Sequence, residues 1–197
     1  MKVYRTDRAV WAKIQAALFT FGRFCDIIKV IRKLIVKLEF DEEFYMGYIM
    51  ELRKIVGHRT LLMPCAGAII GDGKGNVLLQ LRQDDKTWAT HGGSIELDER
   101  VEDAMRREIK EEIGLEVLEY KLLNIYSGPE HHNIYPNGDE VSCIDIVYYC
   151  HKFEGEIQLQ KDEVLDIQWF NKDNLPHNIG QNTKKWLSDY FDILEDK

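Results

Sequence analysis

The chain has 197 residues, 45% of them hydrophobic and 30% charged, with a formal net charge of −8. The apolar fraction suffices for a buried core and excludes wholesale disorder, while the acidic balance argues against nucleic-acid binding, which needs basic surface to neutralise phosphates. The four cysteines (Cys25, Cys65, Cys143, Cys150) include no Cys-x-x-Cys pair, which speaks against a zinc site or a disulfide framework and suits a reducing cytoplasmic setting.

Residues 1–37 hold nine Lys/Arg against two Asp, a net of +7, so the remaining 160 residues sum to −15. In this basic leader Ile14, Ala17, Leu18, Phe21, Phe24, Cys25, Ile28, Ile31, Ile35 and Leu38 recur every three or four residues, the period of an amphipathic helix. The uncharged run from Ile14 to Gly22 is too short for a membrane span, and a membrane is not an expected partner. Packing of the leader within the chain or in a homodimer is the favoured expectation. A second helical stretch, about 42–55, carries Phe44, Tyr48, Ile49, Leu52 and Ile55 on one face and meets a stop at Gly57. Residues 1–57 therefore read as a basic helical extension and 58–197 as the domain proper.

From residue 60 the pattern changes to short β-like runs. Strands are expected at 61–70 and 77–82, separated by the turn-rich Gly71-Asp72-Gly73-Lys74-Gly75-Asn76, and again at 116–126, 141–153 and 165–170. Asn137-Gly138 between two such runs signals a hairpin. A closing helix is expected over 180–194.

The stretch 92–115, GGSIELDERVEDAMRREIKEEIGL, carries the chemistry. Its spacing predicts a helix from Asp98, as N-cap, to Ile113, ended by Gly114. Val101, Met105, Ile109 and Ile113 form an apolar stripe, and Glu108, Glu111 and Glu112 crowd its border rather than the opposite face. At an effective dielectric near 20 and about 6 Å separation, each like-charged pair costs roughly 3 kcal/mol. A hard divalent cation with oxygen ligands, Mg²⁺ or Mn²⁺ in its place, would compensate that repulsion.

Gly93, five residues, Glu99, seven residues, then Arg107-Glu108-Ile109-Lys110-Glu111-Glu112-Ile113-Gly114-Leu115 resembles the Nudix box at every defining position. Chance agreement at seven fixed positions is on the order of 10⁻⁸ per starting point. The box covers Gly93 to Leu115, and a looser resemblance runs from about 60 to 195. It implies an α/β/α sandwich with a mixed β-sheet and hydrolysis of a nucleoside diphosphate linked to another moiety. By the same resemblance Glu108, Glu111 and Glu112 bind the metal, the Gly92 carbonyl adds a ligand, and Glu99 with Arg107 holds loop to helix. The general base is Glu108 or Glu163. An isoprenoid diphosphate isomerase using Cys65, or a non-catalytic nucleotide-binding module, are the alternatives on the same fold.

Many relatives carry Trp-x-x-Pro-Gly-Gly before the box, where this chain has Trp88-Ala89-Thr90-His91-Gly92-Gly93. His91 is thus a candidate phosphate contact. Arg82 is placed as a phosphate-binding arginine, and Trp88 as a base-stacking ring. Pro129 lies near the proline spacing associated with ADP-ribose pyrophosphatases. Glu130, His131, His132 and Tyr135 crowd the same loop and are expected to line a small-molecule nucleotide site.

Overall fold

In a computed structural model, residues 47–160 and 163–195 are described; the leader helix, with its dimer expectation, lies outside them. The elements are α1 (Tyr48–Val56), β1 (Leu61–Gly71), β2 (Asn76–Arg82), β3 (Trp88–Ala89), β4 (His91–Ser94), α2 (Val101–Ile113), β5 (Glu116–Tyr126), β6 (His132–Ile134), β7 (Glu140–Glu154), β8 (Val164–Asn171) and α3 (Gln181–Glu195). The expected long strands and the closing helix fall where the pattern put them. The short β3, β4 and β6 do not show in the sequence, because two to four residues are too few to display a period.

The strands form one mixed sheet in the order β3-β2-β1-β7-β5, with β4 on β1, β6 on β7 and β8 on β2. Among the described strands only β1 and β7 pair in parallel, from Leu61 opposite Val141 to Ile70 opposite Cys150. Ala68–Gly71 of β1 and Val147–Cys150 of β7 are buried on two faces, which accounts for their continuous apolar runs. Ala66, Ala68 and Ile70 pack with Met105, Ile109 and Ile113 of α2. Ile69, one residue out of phase, packs with Leu187, Tyr190 and Phe191 of α3 on the opposite face. The result is a helix–sheet–helix sandwich whose layers follow from the period-2 alternation of the strands.

Two boundaries differ from expectation. The box helix begins at Val101, with Arg100 at the cap position and no side-chain capping bond. Asp98 instead adopts a left-handed conformation, φ 61°, in a turn where Glu96 N–H donates to Glu99 Oε2 (3.0 Å), so it cannot cap the helix. Gly114 ends the helix at φ 76°, its N–H donating to Lys110 O (3.0 Å). The second difference is α1, expected within the extension, which is tied to the domain through Arg53. That buried guanidinium donates to the carbonyls of Gly57, Arg59 and Glu140 and lies 3.4 Å from Asp139. Among the described residues, no helix is long and apolar enough to cross a membrane.

Candidate active site

β1 changes partner along its length: Cys65–Ala68 pair with β4, whereas Ile70 and Gly71 pair with β2. Beside this switch lies a cleft of about 720 Å³, within the size range of small-molecule sites. Gly92 and Gly93 form part of its wall, where a larger residue would collide with the backbone of β1 or displace Glu108. Gly92 sits at φ 143°, and a Cβ there would come within 2.4 Å of Gly67 Cα. A Cβ on Gly93 would fall 2.6 Å from Glu108 Oε2, so the glycine admits the carboxylate against the strand.

The box acids take their burial from their angle on α2. At about 100° per residue, Glu112 lies about 40° from Glu108 toward the apolar stripe, and Glu111 about 60° away from it. Side-chain exposure follows that order: 7% for Glu112, 16% for Glu108 and 54% for Glu111. Glu112 accepts hydrogen bonds from Gln80 Nε2 (2.8 Å) and from Gly92 N–H (3.0 Å). Burial nevertheless pushes its pKa up to about 8, against the downward pull of those two donors. Glu108 is also raised by burial, with Arg107 opposing.

Arg107 collects the remaining charge. Its Nε and Nη2 grip Glu99 at 2.8 and 3.0 Å, Nη2 also reaches Ser94 O (3.0 Å), and Nη1 bridges Glu108 (2.6 Å) and Glu111 (3.1 Å). A guanidinium therefore compensates much of the carboxylate repulsion that the sequence assigns to a cation. Among the described residues the three box acids do not gather into one coordination sphere. Glu111 is not part of the cleft wall, whereas Glu108 and Glu112 line it.

Other expected site residues divide in the same way. Arg82, Glu130, Tyr135 and Glu163 line the cleft, although Arg82 is already held by Asp84 at 3.0 and 2.6 Å. Glu163 raises the pKa of Glu108 through its charge. Trp88 is not a cleft residue: it packs edge-to-face on Phe170, ring centroids 4.9 Å apart, in the α3-side core. A base cannot stack on a ring whose faces are already covered. The His91 imidazole is wholly buried, with Nε2 3.2 Å from Leu78 O, and burial pulls its pKa down to about 4. A neutral, enclosed ring is no phosphate ligand. His131 is likewise buried, 2.7 Å from Asp145 Oδ2, while His132 is exposed and lines the cleft.

Sequence reasoning missed Gln80, Cys143 and Asp145. Their signal was available as polar side chains inside the apolar strands NVLLQLR and EVSCIDIVYYC, since a buried polar group must find a partner.

The NUDIX domain family model matches residues 61–190. An ADP-ribose pyrophosphatase from Methanocaldococcus jannaschii is 31% identical over 154 residues, covering 75% of this chain and 85% of that protein. The nucleoside triphosphatase NudI of Escherichia fergusonii is 32% identical over 105 residues, 51% of this chain and 74% of its own. The crystal structure of the MutT NUDIX hydrolase from Burkholderia pseudomallei superposes with a TM-score of 0.57 at 29% identity, covering 66% of this chain and 98% of that one. With its box helix packed on a mixed sheet, Glu108 and Glu112 on the cleft wall, and the family model matched over residues 61–190, this chain belongs to the Nudix hydrolase family.

Proposed function

We propose that the protein is a metal-dependent pyrophosphohydrolase that cleaves a nucleoside diphosphate linked to a second moiety, by direct attack of water on phosphorus. The observation that carries this reading is the charge of the cleft. Glu108, Glu112 and Glu163 line it together with Asp84, Asp85, Glu130 and Asp145, and Arg82 is the one Lys or Arg on its wall among the described residues. A diphosphate cannot enter such a wall without cations to offset it.

The donor set fits a hard divalent ion: carboxylates from Glu108 and Glu112 beside the Gly92-Gly93 backbone. Mg²⁺ is the expected cofactor, with Mn²⁺ able to substitute. When bound, it neutralises charge developing on phosphorus and lowers the pKa of water. Glu112 holds its place through Gln80 and the Gly92 N–H, and Glu99 fixes the Arg107 guanidinium that steers Glu108. Glu111 joins the ligand set only if its contact to Arg107 Nη1 breaks. Glu163 is the favoured general base, because it lines the cleft while the carboxylate of Glu108 is engaged by Arg107. Tyr135 and Glu130 remain the candidate contacts to the substrate.

The names of the relatives place ADP-ribose and nucleoside triphosphates first among substrates to try, followed by nucleotide sugars and dinucleoside polyphosphates. Each is incubated with Mg²⁺ in ¹⁸O-water, and the products are weighed by mass spectrometry. Label in one phosphate product supports the reading and identifies the attacked phosphorus. No phosphorus-containing product from any of them would overturn it.

A further inference from the structure

The parallel register of β1 and β7 sets Met63 opposite Cys143 and Cys65 opposite Asp145. Residues two apart in a strand share a face, so Cys65, Cys143 and Asp145 come together although 77 residues separate the first from the second (143 minus 65, less one). The two Sγ atoms and a carboxylate oxygen of Asp145 all lie within 4.8 Å of one another. All three side chains belong to the wall of the cleft, Cys65 half-buried and the other two buried.

The surroundings hold these donors in place. His131 Nδ1 lies 2.7 Å from Asp145 Oδ2, and its ring stacks on Tyr126 at 6.0 Å and 27°. Such a carboxylate–imidazole pair is how ligating groups are commonly oriented. Asn133 Nδ2 donates to Cys143 Sγ at 3.9 Å, and the two neighbouring thiols act on each other, the contact drawing Cys143 down and pushing Cys65 up.

We propose that Cys65, Cys143 and Asp145 form a second metal site, for a thiophilic divalent cation of the Zn²⁺ class, in the wall of the same cleft as Glu108 and Glu112. Two sulfurs and one oxygen select a softer ion than the all-oxygen set on the box helix, so the two sites divide metals by ligand chemistry. Three protein ligands leave a fourth position facing the cleft for water or a donor atom of a bound molecule. Loading releases the thiol protons to solvent as both sulfurs become thiolates. The scattered spacing of the cysteines in the sequence does not reveal this arrangement, which only strand pairing creates.

The test uses the reduced full chain in excess Mg²⁺, titrated with Co²⁺ as a spectroscopic substitute for Zn²⁺. A sulfur-to-cobalt charge-transfer band is expected, saturating at an equimolar ratio and bleached by Zn²⁺. The band should vanish in Cys65→Ser and in Cys143→Ser, weaken at least about tenfold in affinity in Asp145→Asn, and stay unchanged in Cys25→Ser and Cys150→Ser. Independently of any variant, Zn²⁺ should shield Cys65 and Cys143 of the wild-type protein from iodoacetamide, read by peptide mass spectrometry. Absence of the band in the wild type, its survival in the Cys65→Ser/Cys143→Ser double variant, or equal alkylation of those two thiols with and without Zn²⁺ would each overturn the proposal.

Discussion

Replacing Glu112 by Gln removes a buried charge while keeping the shape of the side chain. In the metal-free protein the Glu112 pKa is raised from its ordinary 4.5 to about 8, chiefly by burial. A folded-state pKa above the unfolded one means that the folded chain holds the proton more tightly, so this group costs stability increasingly as pH rises from 4.5 to 8. At about 1.4 kcal/mol per pH unit the cost reaches roughly 5 kcal/mol above pH 8. The new amide can accept only one of the two donors, Gln80 Nε2 and Gly92 N–H. Gln80 can turn over and offer Oε1, which has no hydrogen-bond partner in the wild type, giving up its Nε2 bond to Thr90 O (3.3 Å), so the loss is about 1 kcal/mol. Glu112→Gln in EDTA should therefore be more stable than wild type by about 4 kcal/mol at pH 8.5 and nearly equal to it at pH 5, measured by urea unfolding with an unchanged m value. Added Mn²⁺ should raise the stability of the wild type but not of the variant, and kcat should fall at least about a hundredfold. A variant less stable than wild type at pH 8.5 in EDTA would refute the burial argument. Retained Mn²⁺ stabilisation with normal turnover would refute the assignment of the site.

His91 carries the opposite slope. Its pKa is pulled by burial from 6.5 to about 4, so the stability it contributes is present above pH 6.5 and is lost as pH falls through 4, about 3 kcal/mol in all. Compared in the Glu112→Gln background, where the Glu112 slope is absent, His91→Gln should flatten the acid limb of the urea-unfolding stability curve between pH 6.5 and 4; an unchanged limb would place the acid sensitivity elsewhere. In α1, Arg53→Met strands three carbonyl acceptors and Asp139, and should cost about 2–4 kcal/mol by thermal or urea unfolding. A loss below 0.5 kcal/mol would show that α1 is not anchored through Arg53.

The apolar stripe of α2, Val101, Met105, Ile109 and Ile113, was legible in the sequence because period is a local property. The division of β1 between Ala66, Ala68 and Ile70 on one face and Ile69 on the other was not, since the run is apolar throughout and only packing on the two helices separates the faces. The same angular reasoning put Glu108 and Glu112 at the edge of that stripe, and Gly114 ends the helix through its own backbone freedom. Tertiary structure decided which acids share a space. Glu111 follows the box spacing as faithfully as its neighbours, yet it pairs with Arg107 and is absent from the cleft wall. Trp88 and His91 looked like ligand contacts by position, but packing from distant strands encloses both. Cys65, Cys143 and Asp145 carry no common signal in one dimension, since their proximity comes from a parallel pairing between strands far apart in the chain. A helix periodicity can be read along the chain because its partners are three or four residues away, whereas a site assembled across a sheet exists only once the register is set.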